Sequence, residues 1–457
     1  MAFMLSARES ILERLGERLE GTVFLPGDEG WDEARRAWNL AVDQQPEAVV
    51  LAESSADVAE TVRAARAAGL RVAPQGTGHG ATSLGDLAGT VLLRTTRMRA
   101  VEVDPVRATA RVEAGALWQE VTDAAAERGL AALAGSSHDV GVLGYTLGGG
   151  ISWLARRHGL SSNSVLAAEI VDADGNERRV DHLHDPDLFW AIRGGGGAFA
   201  IVTALELRLF PIGEVYAGTM FFPLDGAREV LGAWLELTDR APDELMSCGR
   251  IMRFPDFPFV PDPVRGKEFA LVELVYLGEE ADGVELTRPL RELGPLMDTT
   301  ATIPARLLSG LHMDPPGPVP GLGDGHMLGP LSGEAIDAIV EAAGARSGSS
   351  LLSVEIRQLG GALQRRAEGD GAAAVDGDFI FFAVGMAPTP VVAERTAADV
   401  HRALEAFAPW DSGRDYANFR ESRSTGARLF SAERHARLRE IKRRVDPENL
   451  IRSNHPV

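Results

Sequence analysis

Three glycine-dense segments constrain this chain more than any other feature: PQGTGHGA at 74–81, GVLGYTLGGGISW at 141–153 and RGGGGAFAIVT at 193–203. Glycine at this density lets backbone approach a bulky flat or phosphorylated ligand and aim N–H groups at it. One such run reads as readily as a flexible turn. Three of them within one α/β-patterned half point instead to a shared ligand. A P-loop is excluded, because the only lysines, Lys267 and Lys442, lie in no glycine-rich loop. A Rossmann fingerprint fails as well: Gly76 and Gly78 supply the first pair, but Ala81 stands where the third glycine belongs and no clear helix follows.

Around these loops the hydrophobic pattern alternates β and α from residue 47. EAVVLAE reads as a strand, SADVAETVRAARAAG as a helix opened by Ser55, and LRVAPQ as a strand entering the first loop. LAAEIVDADGNERRV reads as a hairpin turned at Asp174-Gly175. From about 212 to 405 the texture changes to alternating strands, such as LLSVEIRQL, separated by amphipathic helices; this is the pattern of an antiparallel sheet with helices on one face. The stretch DPPGPVPGLGDG at 314–325 reads as a linker, lid or rim. A length of 457 residues favours two domains over a single core.

Composition removes several function classes. Net charge is −20, which repels phosphate backbones and anionic membrane surfaces, so nucleic acid and membrane are poor partners. A single cysteine, Cys248, permits no intrachain disulfide and no cysteine-rich metal site, and no metal is expected. The first residues form an amphipathic helix rather than a signal peptide, and no apolar run is long enough to span a bilayer, so a cytoplasmic protein is expected. Arg in place of Lys and abundant Ala and Gly fit a GC-rich bacterial genome.

The strand-then-PQGTGHGA loop, GVLGYTLGGGISWLARRHGLSSNSV, DLFWAIRGGGGAFAIVTALELRLFP and the C-terminal DYANF…RLREIKRRVDPENLIRSNHP follow one another in a specific order. In that order the chain resembles the berberine bridge enzyme-like flavoproteins of the vanillyl-alcohol oxidase/p-cresol methylhydroxylase superfamily. The resemblance implies an α+β, two-domain flavoprotein. Its FAD-binding domain would be split between 1–212 and 410–457, with an antiparallel-sheet substrate domain, covered by helices, inserted at 213–409.

It also implies residue roles. His79 matches the histidine that bonds the flavin 8α-methyl, with Gly76, Thr77, Gly78 and Gly80 wrapping the pyrophosphate. Many relatives form a second flavin bond through a cysteine where this chain has Ser137, so FAD is expected to be linked through His79 only, as in the branch similar to 6-hydroxy-D-nicotine oxidase. Val140 matches a position where a small residue gives oxygen access to the flavin. Gly141, Val142, Gly148 and Gly149 would lie along the cofactor, Val202 near its adenine end, and Asn418 and Asn454 near its ring.

The acid–base residues stay open. Relatives carry Tyr-x-Asn-Tyr near the C-terminus, whereas this chain has Tyr416-Ala417-Asn418-Phe419 and lacks the second hydroxyl. Candidates are Tyr416, His138 and Glu355; Glu355 and Arg357 alternate onto one face of their strand and read equally as a structural ion pair. The expected activity is an FAD-dependent oxidase that removes hydride from a C–H beside an alcohol or amine of a small molecule and passes electrons to O2. The alternatives are a flavin dehydrogenase with another acceptor, or a flavin-binding protein without turnover.

Overall fold

The computed structural model describes residues 2–258, 260–365 and 369–457, without the side chains of residues 2–7 and 9. Three sheets organise the chain. The first is four-stranded, in the order Thr22–Phe24, Ala48–Leu51, Thr90–Arg94, Arg71–Gln75, with the last three strands parallel. Its inner strands are fully buried runs such as Ala48-Val49-Val50, the composition a parallel sheet covered on both faces demands. The helix Ser55–Ala67 packs on it through Val58, Ala59 and Val62. Ser54, not Ser55, caps that helix, its hydroxyl accepting from the Asp57 N–H.

The second sheet is five-stranded and antiparallel, ordered Val101–Asp104, Thr109–Glu113, Ile201–Arg208, Val165–Val171, Glu177–Asp181. The expected hairpin is its last pair, with Gly175 at φ 80° in the turn. The third sheet is eight-stranded and antiparallel; its central strands are Glu268–Tyr276, Leu245–Arg253, Ser353–Gln358 and Phe379–Met386. One face buries Val272, Leu274, Val354, Ile356 and Phe381 against the helices Ala227–Arg240, Gly333–Ala343 and Pro390–Ala406. The opposite face sets Met246, Cys248 and Ile380 against Ile151, Trp153 and Leu160 of the earlier segment.

The last five residues of the expected 314–325 loop belong to a strand. Gly321–Leu328 pairs along Phe379–Met386. The glycines that suggested a loop serve close packing: a Cβ at Gly325 would collide with the Phe381 carbonyl and crowd that of Phe419.

The C-terminal segment returns to the first sheet. Val72 and Ile451 form a parallel bridge, with the Val72 N–H donating to the Leu450 carbonyl (2.9 Å) and the Arg452 N–H to the Val72 carbonyl (2.8 Å). Lys442, on the helix Ala432–Val445, donates to Asp446 and to the Ala198 carbonyl, both at 2.6 Å, and so ties this helix to the third glycine segment. Among the described residues no helix is long and apolar enough to cross a membrane.

Candidate active site

All three glycine segments open onto one cavity of about 840 Å³, closed above by the eight-stranded sheet. Its volume lies within the roughly 300–1,000 Å³ of small-molecule and cofactor sites. Gly76, Thr77, Gly78, His79 and Gly80 line it, with Ser137, Val140, Gly141, Gly148, Val202, Asn418 and Asn454. Gly78 has φ 88°, and a Cβ there would crowd Ala37 and Gln75, so glycine is needed both for the turn and for the approach of the loop to its neighbours.

His79 is held from three sides. Its ring stacks on Trp38 with centroids 4.1 Å apart, Nδ1 lies 2.6 Å from the Thr77 hydroxyl, and Nε2 lies 3.4 Å from Asp139 Oδ1. Asp139 also accepts from Trp38 Nε1 (2.5 Å) and from the Ser137 hydroxyl (3.0 Å). Burial opposes ionisation of Asp139, but the hydrogen bonds and charge of His79, Trp38 and Ser137 prevail and hold its pKa at about 2. The imidazole is thereby fixed in orientation beside a permanent carboxylate.

The two C-terminal asparagines act as braces. Asn454 donates to the Gly80 carbonyl and to Ser83, and Asn418 donates to the Tyr145 carbonyl. Each ties the returning segment to one glycine loop.

Five expected site residues stand off the cavity wall. Val142 is fully buried in the core behind its loop. Gly149 supports the wall from behind, with Tyr416 packed so closely that a Cβ would strike its hydroxyl. Tyr416 itself is 3% exposed, and burial pushes its pKa well above the ordinary value, which makes it a poor base. His138 is half-buried and does not line the cavity; its carbonyl accepts from the Gln119 N–H. Glu355 is spent on a buried charge cluster.

That cluster belongs to the roof. Register puts Cys248 opposite Arg357 and Arg250 opposite Glu355, so Ser353, Glu355 and Arg357 share the face turned to the cavity, and Val354 and Ile356 face the helices. His312 bridges two carboxylates, Nδ1 to Glu273 at 2.7 Å and Nε2 to Glu355 at 2.5 Å. Burial and Arg250 press its pKa down, but Glu273 and Glu355 outweigh them and raise it to about 9. Arg250 donates to Ser353 (2.7 Å), Glu273 (3.1 Å) and the His312 carbonyl (2.7 Å). Arg250, Ser353 and Arg357 reach the cavity surface. A further acid, Glu421, lines the wall; burial and then nearby Asp324 raise its pKa to about 8.

Sequence reasoning did not find Trp38, Asp139, the Arg250–Glu273–His312 cluster or Glu421. A signal existed for two of them. Asp139 lies two residues beyond Ser137, where relatives place a cysteine, and Glu273 is a lone acid inside the apolar strand FALVELVY. A buried strand tolerates such a residue only with a partner.

Several buried polar atoms at the cavity have no partner within the chain: both side-chain amide atoms of Gln75 and the Tyr145 hydroxyl. Leaving such groups unpaired is costly, so the cavity is built for a ligand with its own donors and acceptors. Glycine cradles, orphaned amides and an ordered imidazole fit FAD.

This fold and cavity define a two-domain flavoprotein of the p-cresol methylhydroxylase type. Residues 46–181 match the FAD binding domain family, and residues 415–457 match the "Berberine and berberine like" family. (R)-6-hydroxynicotine oxidase of Paenarthrobacter nicotinovorans is 32% identical over 194 residues, 42% of each chain. An FAD-linked oxidoreductase of Dictyostelium discoideum is 27% identical across 97% of this chain and 96% of its own. The crystal structure of 6-hydroxy-D-nicotine oxidase from Arthrobacter nicotinovorans superposes with a TM-score of 0.81 at 24% identity, covering 94% of this chain and 96% of that one. The chain thus carries an FAD binding domain and a berberine-like C-terminal segment, and it is similar to FAD-linked oxidoreductases along nearly its whole length.

Proposed function

We propose that the protein is an oxidase carrying FAD bonded once, through His79. Residues 1–212 and 410–457 would form the cofactor-binding part and residues 213–409 the substrate part. The observation that carries this reading is the His79 site: an imidazole clamped by Trp38, Thr77 and Asp139 in a glycine loop on the cavity wall. A second bond would need a thiol, but Ser137 lines the cavity and Cys248, the only cysteine, is fully buried in the eight-stranded sheet. FAD supplies hydride acceptance from a C–H beside an alcohol or amine, followed by delivery of two electrons to O2 to give H2O2.

The chain's residues do the rest. The 76–80 loop would hold the pyrophosphate, Val202 would lie toward the adenine, and Val140 would leave a path for oxygen. Gln75 and Tyr145 have unpaired polar atoms ready for cofactor or substrate. The roof sheet excludes water from the reacting atoms. The substrate's hydroxyl or amine proton needs an acceptor; Glu421 on the wall, kept protonated by burial and Asp324, would take that part only once pH rises past about 8.

Acid precipitation tests the link. The yellow colour should stay with the wild-type pellet and wash out of His79→Ala. Colour that washes out of the wild type refutes the covalent bond. A wild-type holoprotein that releases no peroxide with any oxidisable amine or alcohol, and whose photoreduced flavin persists in air, refutes the oxidase.

A further inference from the structure

The roof differs from the floor in the kind of ligand it asks for. Most of its surface is apolar, with Met252, Phe254, Val260, Val264, Phe382 and Val384 on the wall. Polar groups are few and gathered on adjacent strands: Arg250, Ser353 and Arg357, with Asp314 close to them. A carbohydrate presents hydroxyls around its whole ring and needs partners on every side. This wall supplies them at one end only.

At that end one cation keeps an open donor. Arg357 is 2% exposed, and its guanidinium lies 5.0 Å from the Trp153 ring centre and 5.3 Å from that of Phe419. Its one carboxylate contact is long, Nη2 to Glu355 at 3.3 Å, and its Nε has no hydrogen-bond partner. Glu355 cannot satisfy it further, because its other oxygen is committed to His312. Arg250 is occupied by Ser353, Glu273 and a backbone carbonyl. Counting charges, Arg250, Arg357 and a doubly donating His312 face two embedded carboxylates, Glu273 and Glu355. Asp314 is a further carboxyl near these groups; burial opposes its ionisation, while His312, Arg250 and Arg357 favour it. Across the gap the Tyr145 hydroxyl also lacks a partner.

We propose that the substrate is a small carboxylate with an apolar ring or chain, whose carboxylate is received by Arg357 and whose body lies along the Met252–Phe254 and Phe382–Val384 walls. A planar guanidinium held between two rings is preorganised for a carboxylate, which takes two parallel N–H donors. The chain's overall charge of −20 repels anions in bulk, so the selectivity is local to the roof. This inference rests on the flavin oxidase reading but is tested apart from it.

The test is calorimetric titration of the purified protein with 2-naphthoate, its neutral amide and cellobiose. Flavin absorbance is followed in parallel. The acid should bind on the order of tenfold to a hundredfold more tightly than the amide, the range a hydrogen bond to a charged group supplies. Cellobiose should bind more weakly than either. Arg357→Gln should erase the preference for the acid and leave amide binding in place. Should that variant not fold, the wild-type comparison alone decides. Equal affinity for acid and amide, no binding of the acid, or tighter binding of cellobiose overturns the proposal. So does an acid preference that survives Arg357→Gln. A colourless protein would count against the flavin reading, while calorimetry would still read the roof.

Discussion

The floor and the roof of the cavity are built on opposite principles. The floor is backbone: glycine loops at 76–80, 141–149 and 194–197, shaped by positive φ and by contacts that leave no room for a side chain. The roof is side chain: four ionisable groups on one face of a sheet with His312 packed between them, nearly all water removed from them, each charge depending on the next. Backbone sites tolerate no added atom, whereas charge clusters tolerate no lost partner. The two halves should therefore fail under opposite kinds of substitution.

The larger failure belongs to the roof. Glu355→Ala leaves His312 and Arg357 without their shared counter-ion in a site 2–5% exposed. Breaking a buried pair in this way costs about 3–5 kcal/mol. Chemical denaturation should show a loss of that size. A loss within the range of an exposed pair, roughly 0–1 kcal/mol, would mean that water reaches the cluster and the roof is not a dry charge site.

The floor should break by addition. Gly149→Ala places a Cβ at φ 118°, against the Tyr416 hydroxyl. Left-handed strain of roughly 1–2 kcal/mol and overpacking of a similar size together give about 2–4 kcal/mol. Tyr416→Phe in the same background removes the oxygen that the Cβ meets and should recover part of the loss. No recovery would show that conformation alone, not packing, requires glycine there.

The same difference explains what could be read from the sequence. A glycine loop announces itself because the residue type and its function coincide, so 74–81, 141–153 and 193–203 were legible as a ligand site, whereas His79 within them drew its role only from the family resemblance. Alternation in LLSVEIRQL showed that Glu355 and Arg357 share a face, but not which face, because the sign of a two-residue period is set by the sheet's partners. The roof cluster joins residues 250, 273, 312 and 355 from separate segments, and only register brings them together. His312 comes from an irregular turn before Met313, a non-glycine residue at φ 56°, and carried no pattern at all. The misreading of 321–325 has the mirror-image cause: its glycines serve close strand packing, and composition cannot tell that from a loop.

Glu421 lies where floor and roof meet, and its effect should be the smallest and the most sensitive to pH. Its side chain approaches Thr82 of the floor at 3.4 Å, and Asp324 of the roof strand accepts from its N–H at 3.0 Å. Burial, then Asp324, raises its pKa from 4.5 to about 8 in the folded chain. Between those values the folded protein holds a proton that the unfolded chain has released. The stability this contributes is therefore complete below pH 4.5 and is lost as pH rises through about 8. Glu421→Gln keeps the shape and removes the titration. The melting temperatures of the two proteins, at equal flavin content, should match in acid and separate toward alkaline pH, with the variant the more stable. Water reaches a half-buried carboxyl, so the difference should be about 1 kcal/mol. If the two curves stay parallel, Glu421 titrates alike in the folded and unfolded chains. The acid–base role of the wall would then have to pass to a group on the roof, and the contrast between a backbone floor and a charged roof would sharpen further.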